Sequence, residues 1–215
     1  MGLIDDKYAM LGGDHGFLGP PKSPGEDFGR GRRRRYAFGE IRLDLTMPDP
    51  KEAFEVHGAI LDHLRAVESP TDPWFPTSDE LMTRDGAGRI SYFDGAAIVW
   101  RKDLGAFAVQ GAIYNKWVRI GGVRSAVGYP VSDEQASTPP TRRSTFEHGV
   151  IDWPGHDWRA FAVHGPILAA WQSPQGASLG GVLSDETPAA DGSRFSRFEH
   201  GLIRWTKATG AVIVP

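Results

Sequence analysis

The chain has 215 residues, 40% of them hydrophobic, and a formal net charge of −3. It can bury a sizeable core, and it is not built to coat nucleic acid or an acidic membrane. It has no cysteine, which excludes disulfides and thiol chemistry, and no apolar run long enough to span a bilayer.

The first element in chain order is GLIDDKYAMLGG, Gly2 to Gly13. It matches GAIYNKWVRIGG, Gly111 to Gly122, position for position: Ile4 with Ile113, Lys7 with Lys116, Tyr8 with Trp117, and both glycine pairs. The later copy places Ile113, Trp117 and Ile120 on one helical face, with Gly121 where a helix-ending glycine belongs, so both are read as helices. Next comes EDFGRGRRRRY, Glu26 to Tyr36, in which Arg32 belongs to the recurring pattern below and the remaining arginines, Arg30 and Arg33 to Arg35, are read as a solvated loop, with contact to an anionic polymer as the alternative.

From Tyr36 onward a pattern recurs four times. Tyr36/Ile41, Phe93/Ile98, Phe146/Ile151 and Phe198/Ile203 share one spacing, and two residues after each isoleucine stand Leu43, Trp100, Trp153 and Trp205. Each such segment is followed by a turn and then by AFEV, AFAV, AFAV or GAVIV, which predicts a β-hairpin. Helices follow at Ile60/Leu64/Val67, Ile113/Trp117/Ile120 and Ile167/Trp171. The last hairpin has no helix after it, and the first helix has no hairpin before it. The expected fold is therefore α+β and mostly β. It is one repeat domain, a closed propeller-like ring of four β-β-α units with pseudo-fourfold symmetry (about 14–67, 68–120, 121–173, and 174–215 plus 1–13). The two termini complete one unit, which leaves no open sheet edge.

Four copies act as an internal control: a column alike in every copy builds the scaffold, and a polar column that varies is free to act locally. Trp100, Trp153 and Trp205 share one column and Trp117 and Trp171 another, so all five are assigned to core packing. Trp74, in a loop, and Trp158, off the pattern, are the ligand-stacking candidates. The pairs Glu26/Arg32, Glu80/Arg89, Glu134/Arg142 and Glu186/Arg194 recur and read as bridges from a loop to a strand. His57 and His164 share the column before a helix glycine and are candidate ligand contacts. No metal-ligand spacing accompanies them, and no metal or cofactor is expected.

The divergent column lies between the isoleucine and the tryptophan: Arg42, Val99, Asp152 and Arg204. Three charges in a column with uniform neighbours suggest a mixed site for a polar or anionic ligand, set against an exposed strand face. The segment PGHDW, Pro154 to Trp158, interrupts its own hairpin, and a loop that departs from its siblings is where function tends to be grafted. If the chain is an enzyme, Asp152, His156 and Asp157 are its candidate catalytic groups. No phosphate-binding loop, nucleophile elbow, dinucleotide fingerprint or HExxH motif is present.

Between each helix and hairpin lie Leu18-Gly19-Pro20-Pro21, Pro73-Trp74-Phe75-Pro76, Val127-Gly128-Tyr129-Pro130 or Leu179-Gly180-Gly181-Val182. An acidic residue follows (Glu26, or Glu80, Glu134 and Glu186 in S-D-E), and then an arginine four residues before the aromatic. The combination resembles the LGFP repeat family over almost the whole chain. That resemblance implies a module of bacterial cell envelopes that binds wall polymers. The expected function is a non-catalytic binding module for a carbohydrate or cell-envelope polymer such as peptidoglycan or arabinogalactan. The alternative is a stand-alone intracellular protein that binds a small polar metabolite in a central or inter-unit cavity, or a biosynthetic enzyme that uses one. A monomer is expected, with no nucleic acid partner and no membrane insertion. MGLIDDKYAM lacks the basic start and apolar centre of an export signal, so the expectation is cytoplasmic as encoded, or cell envelope if the chain is an excised module.

Overall fold

The computed structural model describes residues 2–49, 51–69, 71–137 and 141–215. Within them, sixteen strands form four antiparallel sheets of four, accompanied by four helices. Helix α1 (Leu3–Met10) precedes β1 (Glu26–Phe28), β2 (Gly31–Arg35), β3 (Gly39–Asp44) and β4 (Ala53–His57). Helix α2 (Gly58–Val67) precedes β5 (Leu81–Met82), β6 (Gly88–Phe93), β7 (Ala96–Arg101) and β8 (Gly105–Gln110). Helix α3 (Gly111–Ile120) precedes β9 (Gln135–Ala136), β10 (Arg142–Phe146), β11 (Gly149–Trp153) and β12 (Phe161–His164). Helix α4 (Gly165–Trp171) precedes β13 (Thr187–Pro188), β14 (Arg194–Phe198), β15 (Gly201–Thr206) and β16 (Gly210–Val214). In every sheet the strands are hydrogen-bonded in chain order. The chain gathers into two compact units, Met1–Ala108 and Val109–Pro215.

The helices and hairpins form where the periodicity places them. Ile60 and Leu64 on α2, Ile113 and Trp117 on α3, and Ile167 and Trp171 on α4 are buried. Gly121 closes α3 with φ 116°, a left-handed conformation that glycine adopts without a side-chain clash. The repeated aromatics and isoleucines form the cores: Ile41, Ile98, Ile151 and Ile203 are each 0% exposed.

Two expectations change. Each sheet has four strands where a two-stranded hairpin was read, because the Arg-to-aromatic segment is itself a strand and pairs with a short edge strand. The repeat also begins with its helix. Ile4 of α1 joins Leu18, Tyr36, Ile41 and Leu43 in one cluster, while α4 packs on β15 and β16. The opening helix thus serves the sheet that follows it, as the other helices do. The repeat is thus α-β-β-β-β, with each helix ahead of its four strands; a closed ring is not shown.

The S-D-E turn is the joint between successive sheets. Ser78, Ser132 and Ser184 Oγ accept the N–H of Tyr92, Thr145 and Arg197 at 3.3, 3.0 and 2.9 Å, each in the sheet that follows. Asp79 Oδ1 accepts the Glu55 N–H at 3.1 Å and Asp185 Oδ1 the Ala162 N–H at 2.9 Å, each in the sheet before. Lys7 on α1 and Lys116 on α3 pair with the other oxygens of these carboxylates. The glutamates pair with Arg89, Arg142 and Arg194 as expected, with the arginines nearly half exposed. The first copy departs: Glu26 pairs with Arg33 and Arg35, and Arg32 pairs with Asp27. The basic run is not a loop but mostly strand β2. Arg30 and Arg34 also have acidic partners, Asp44 and Asp5, so the run is neutralised where it stands.

Ile98→Ala and Ile151→Ala are expected to lower unfolding free energy by about 2–5 kcal/mol each. Arg204→Ala, at an exposed strand position, is expected to change it by under about 1 kcal/mol. Urea denaturation of the three variants checks both.

Candidate functional site

The divergent column resolves into separate local arrangements. Arg42 is 1% exposed, and all five N–H donors of its guanidinium are taken. Glu40 Oε2 accepts from Nε at 3.0 Å and from Nη2 at 2.8 Å. Glu68 accepts from Nη1 at 2.6 Å and from Nη2 at 2.9 Å, and the Trp74 carbonyl accepts from Nη1 at 2.7 Å. Arg65 bonds the other Glu40 oxygen at 2.6 Å. Burial alone would raise the Glu40 carboxyl, yet the two guanidinium groups bring it below its ordinary value. Val99 is buried. Asp152 is buried and takes two bonds from Arg143, at 2.5 and 2.7 Å. Arg204 is exposed and meets Asp191 at 3.4 Å. In the first three copies the column is buried, and each of its charges has a partner of its own. Arg42 is a structural ion-network residue with no donor left for a ligand.

The histidines are likewise engaged. His57 Nδ1 lies 2.7 Å from Glu55 and its Nε2 3.7 Å from Glu80, while His164 Nε2 lies 3.6 Å from Glu186. The hydrogen bond with Glu55 raises the His57 imidazole above its ordinary value, against the pull of burial. Burial also raises the Glu80 carboxyl. Among the described residues, no cluster of three or more His, Asp or Glu side chains is arranged to hold a metal ion. Trp74 packs against the cluster of Ile60, Leu64, Phe93 and Ile98, with its ring 5.6 Å from that of Phe93.

The remaining candidate, Trp158, is 68% exposed and stands at the rim of a cleft of about 430 Å3 in the second unit. Gln110 and the first turn of α3, Gly111 to Ile113 with Asn115, form one wall. Glu134 of the S-D-E turn and Trp153, at the end of β11, form the other. The PGHDW loop is braced: Trp153 Nε1 donates to the Asp157 carbonyl, and Asp157 Oδ1 accepts the Arg159 N–H at 2.7 Å. The Arg119 guanidinium lies 5.5 Å from the Trp158 ring centre, which holds the indole from its α3 side. The hydrogen bonds from Arg159 keep the Asp157 carboxyl below its ordinary value. The first unit has a groove of about 350 Å3 in the corresponding place, beside Gly2 to Asp5 of α1, where Leu43 replaces the tryptophan.

The sequence reading found Trp158 and Asp157 but assigned Trp153 to the core and Glu134 to a bridge. Trp153 is half-buried and lines the cleft, as a strand-end aromatic can when no neighbouring element covers it. Asp152, His156 and Asp157 do not assemble as a catalytic set: Asp157 lines the Trp158 cleft, whereas Asp152 and His156 line a separate one.

Arg42→Ala is expected to cost about 3–5 kcal/mol in chemical denaturation, because it strands Glu40 in the core without its main partner. The raised His57 value implies that its bond to Glu55 contributes fully below pH 6.5 and fades as pH rises through the folded-state value. An NMR titration should place the His57 midpoint above 6.5, and Glu55→Gln should lower it.

No curated protein matches this chain. A family profile described as LGFP repeat matches residues 75–125, 127–178 and 179–215. These segments start at the first Trp-Phe-Pro loop and carry the S-D-E joint, the buried isoleucine and the strand tryptophan in each copy. With well over half of its residues inside them, the chain belongs to the LGFP repeat family.

Proposed function

We propose that the chain is a non-catalytic binding module for a carbohydrate or cell-envelope polymer and that the Trp158 cleft holds one of its sugar residues. The observation that carries this reading is the pairing of an exposed, braced indole with a second tryptophan and a set of amide and carboxylate groups around one cleft. Sugar rings offer C–H faces that pack on aromatic surfaces and hydroxyls that need both donors and acceptors. Trp158 and Trp153 supply the first; Gln110, Asn115, Glu134 and Asp157 supply the second. Membership of the LGFP family, with its association with bacterial envelopes, favours the same class of ligand.

Binding rather than turnover suits the acidic groups. Glycoside cleavage needs a carboxyl whose value is raised so that it carries a proton at neutral pH. Asp157 is shifted the other way by Arg159, and Glu134 is paired with Arg142.

The intact chain is expected to be retained on insoluble peptidoglycan or arabinogalactan. Trp158→Ala should weaken retention about tenfold, the loss of one aromatic contact, with an unchanged melting temperature because the ring is largely exposed. No retention of the wild-type chain on either polymer removes the reading. Equal retention of the variant removes this cleft from it.

A further inference from the structure

Strand β11 has a second cleft on its other side. Asp152 and Trp153 are consecutive strand residues and point to opposite faces, so Trp153 lines the Trp158 cleft and Asp152 lines a separate cleft of about 670 Å3. Arg143 from β10 lies in it, with Trp171 of α4, Gln172 and the Gly180–Gly181 loop around it. We infer that this Arg143–Asp152 cleft is a ligand site of its own, and that it takes a neutral, hydroxyl-rich molecule the size of one or two sugar residues.

The surroundings of this cleft differ from those of Arg42 at two positions. In the first copy the counterpart of Asp152 is Arg42, whose long side chain reaches Glu68 and the Trp74 carbonyl and fills the space. Gly181 stands where the loop next to Arg42 has Phe75, which is 2% exposed, whereas Gly180 has the glycine usual at its place (Gly19, Gly128), and Trp171 lies on Phe198 as Trp74 lies on Phe93. Glycine in place of one aromatic ring and aspartate in place of an arginine leave a volume in the range of small-molecule sites.

The groups left at the floor define the ligand. Arg143 is clamped in plane by two bonds to Asp152, and its guanidinium carbon lies 4.7 Å from the centre of the Trp171 ring. Trp171 is itself held by its Nε1 donating to the Gly180 carbonyl at 3.1 Å. Arg143 Nη1 has no partner among the described residues, and each Asp152 oxygen has accepted a single hydrogen bond. Free donors therefore stand beside free acceptor lone pairs on an oriented pair, which is what adjacent hydroxyls, each donor and acceptor, can satisfy together. The pair is neutral as a whole, and Glu199 adds a carboxylate at the rim, where one oxygen accepts the Gly181 N–H at 2.9 Å. That charge pattern disfavours an anion, although a lone arginine would attract one. The inference does not depend on the Trp158 cleft.

The test is NMR of the intact chain, titrated at millimolar concentrations with galactose, arabinose, N-acetylglucosamine and inositol, and separately with inorganic phosphate. Saturable shifts are expected at the Gly180 and Gly181 amides and at Arg143 Nε with at least one of the four polyols, and none there with phosphate. Gly181→Phe introduces the residue that the second copy has there, Phe75. Gly181 is outside the left-handed region, and an added Cβ finds its nearest atom, Glu199 Oε1, at 3.4 Å, so the ring has an entry. This variant should abolish the shifts, and Trp158→Ala should leave them unchanged. If Gly181→Phe does not fold, Asp152→Asn gives the same readout with an expected loss of affinity. The inference is overturned if none of the four polyols shifts these signals, if phosphate alone does, or if the shifts survive in the folded Gly181→Phe or Asp152→Asn variant.

Discussion

The carboxylate of the S-D-E aspartate is the constraint on which each unit depends. β4 and β12 are edge strands of their sheets, with N–H groups that no further strand satisfies. Asp79 and Asp185 cap one such N–H each and are at the same time the ion-pair partners of Lys7 and Lys116. Lys116 is only 6% exposed, and burying a charge without a partner is costly. A single side chain therefore protects a sheet edge, neutralises a helix cation and ties the next repeat to the previous one. The serine before it and the glutamate after it extend the joint to the next sheet, so three consecutive residues set where that sheet begins.

Because scaffold work is concentrated in repeated columns, the diverging columns are where the copies acquire different chemistry. The position between the isoleucine and the strand tryptophan illustrates this. In three of the four copies its side chain is buried, so whatever stands there must be matched locally. Arg42 is matched by recruiting Glu40 and Glu68 into a filled network; Asp152 is matched by Arg143 and leaves space. Val99 avoids the problem with an apolar side chain. One location thus yields a packed ion network, a plain core contact or a cleft, without disturbing the isoleucine beside it.

Much of this was legible in the amino-acid order. The isoleucine and aromatic columns, the helical faces, the Gly121 terminator and the Glu–Arg pairs of the last three copies follow from periodicity and residue chemistry, and the structure has them. What was missed depends on neighbours that periodicity does not see. The helix was joined to the hairpin before it because it is adjacent in sequence, whereas its apolar face packs on the sheet after it. The arginine run looked like a solvated loop because its acids, Asp5, Glu26, Asp27 and Asp44, come from separate segments. Arg42 looked like a site residue because its partners Glu68 and Trp74 lie in the next loop. For Trp158 the departure from the repeat was itself the signal. Arg143 carried a weaker one, standing in a column with Arg33, Ile90 and Phe195.

In the second unit the Trp158 cleft and the Arg143–Asp152 cleft share the one strand and loop that break the pattern. Trp153 and Asp157 brace the loop by a hydrogen bond, and Arg159 closes the turn on Asp157, so the loop is ordered before any ligand arrives. Asp152 orders the other side by holding Arg143 against Trp171. Ordering side chains at a binding surface costs affinity when it is left to the ligand, on the order of 0.5–1.5 kcal/mol for each long side chain. Here that cost is met in folding, by ion pairs and a repeat joint that the unit makes in any case. A shallow repeat can therefore present ordered side chains at its surface without a deep pocket.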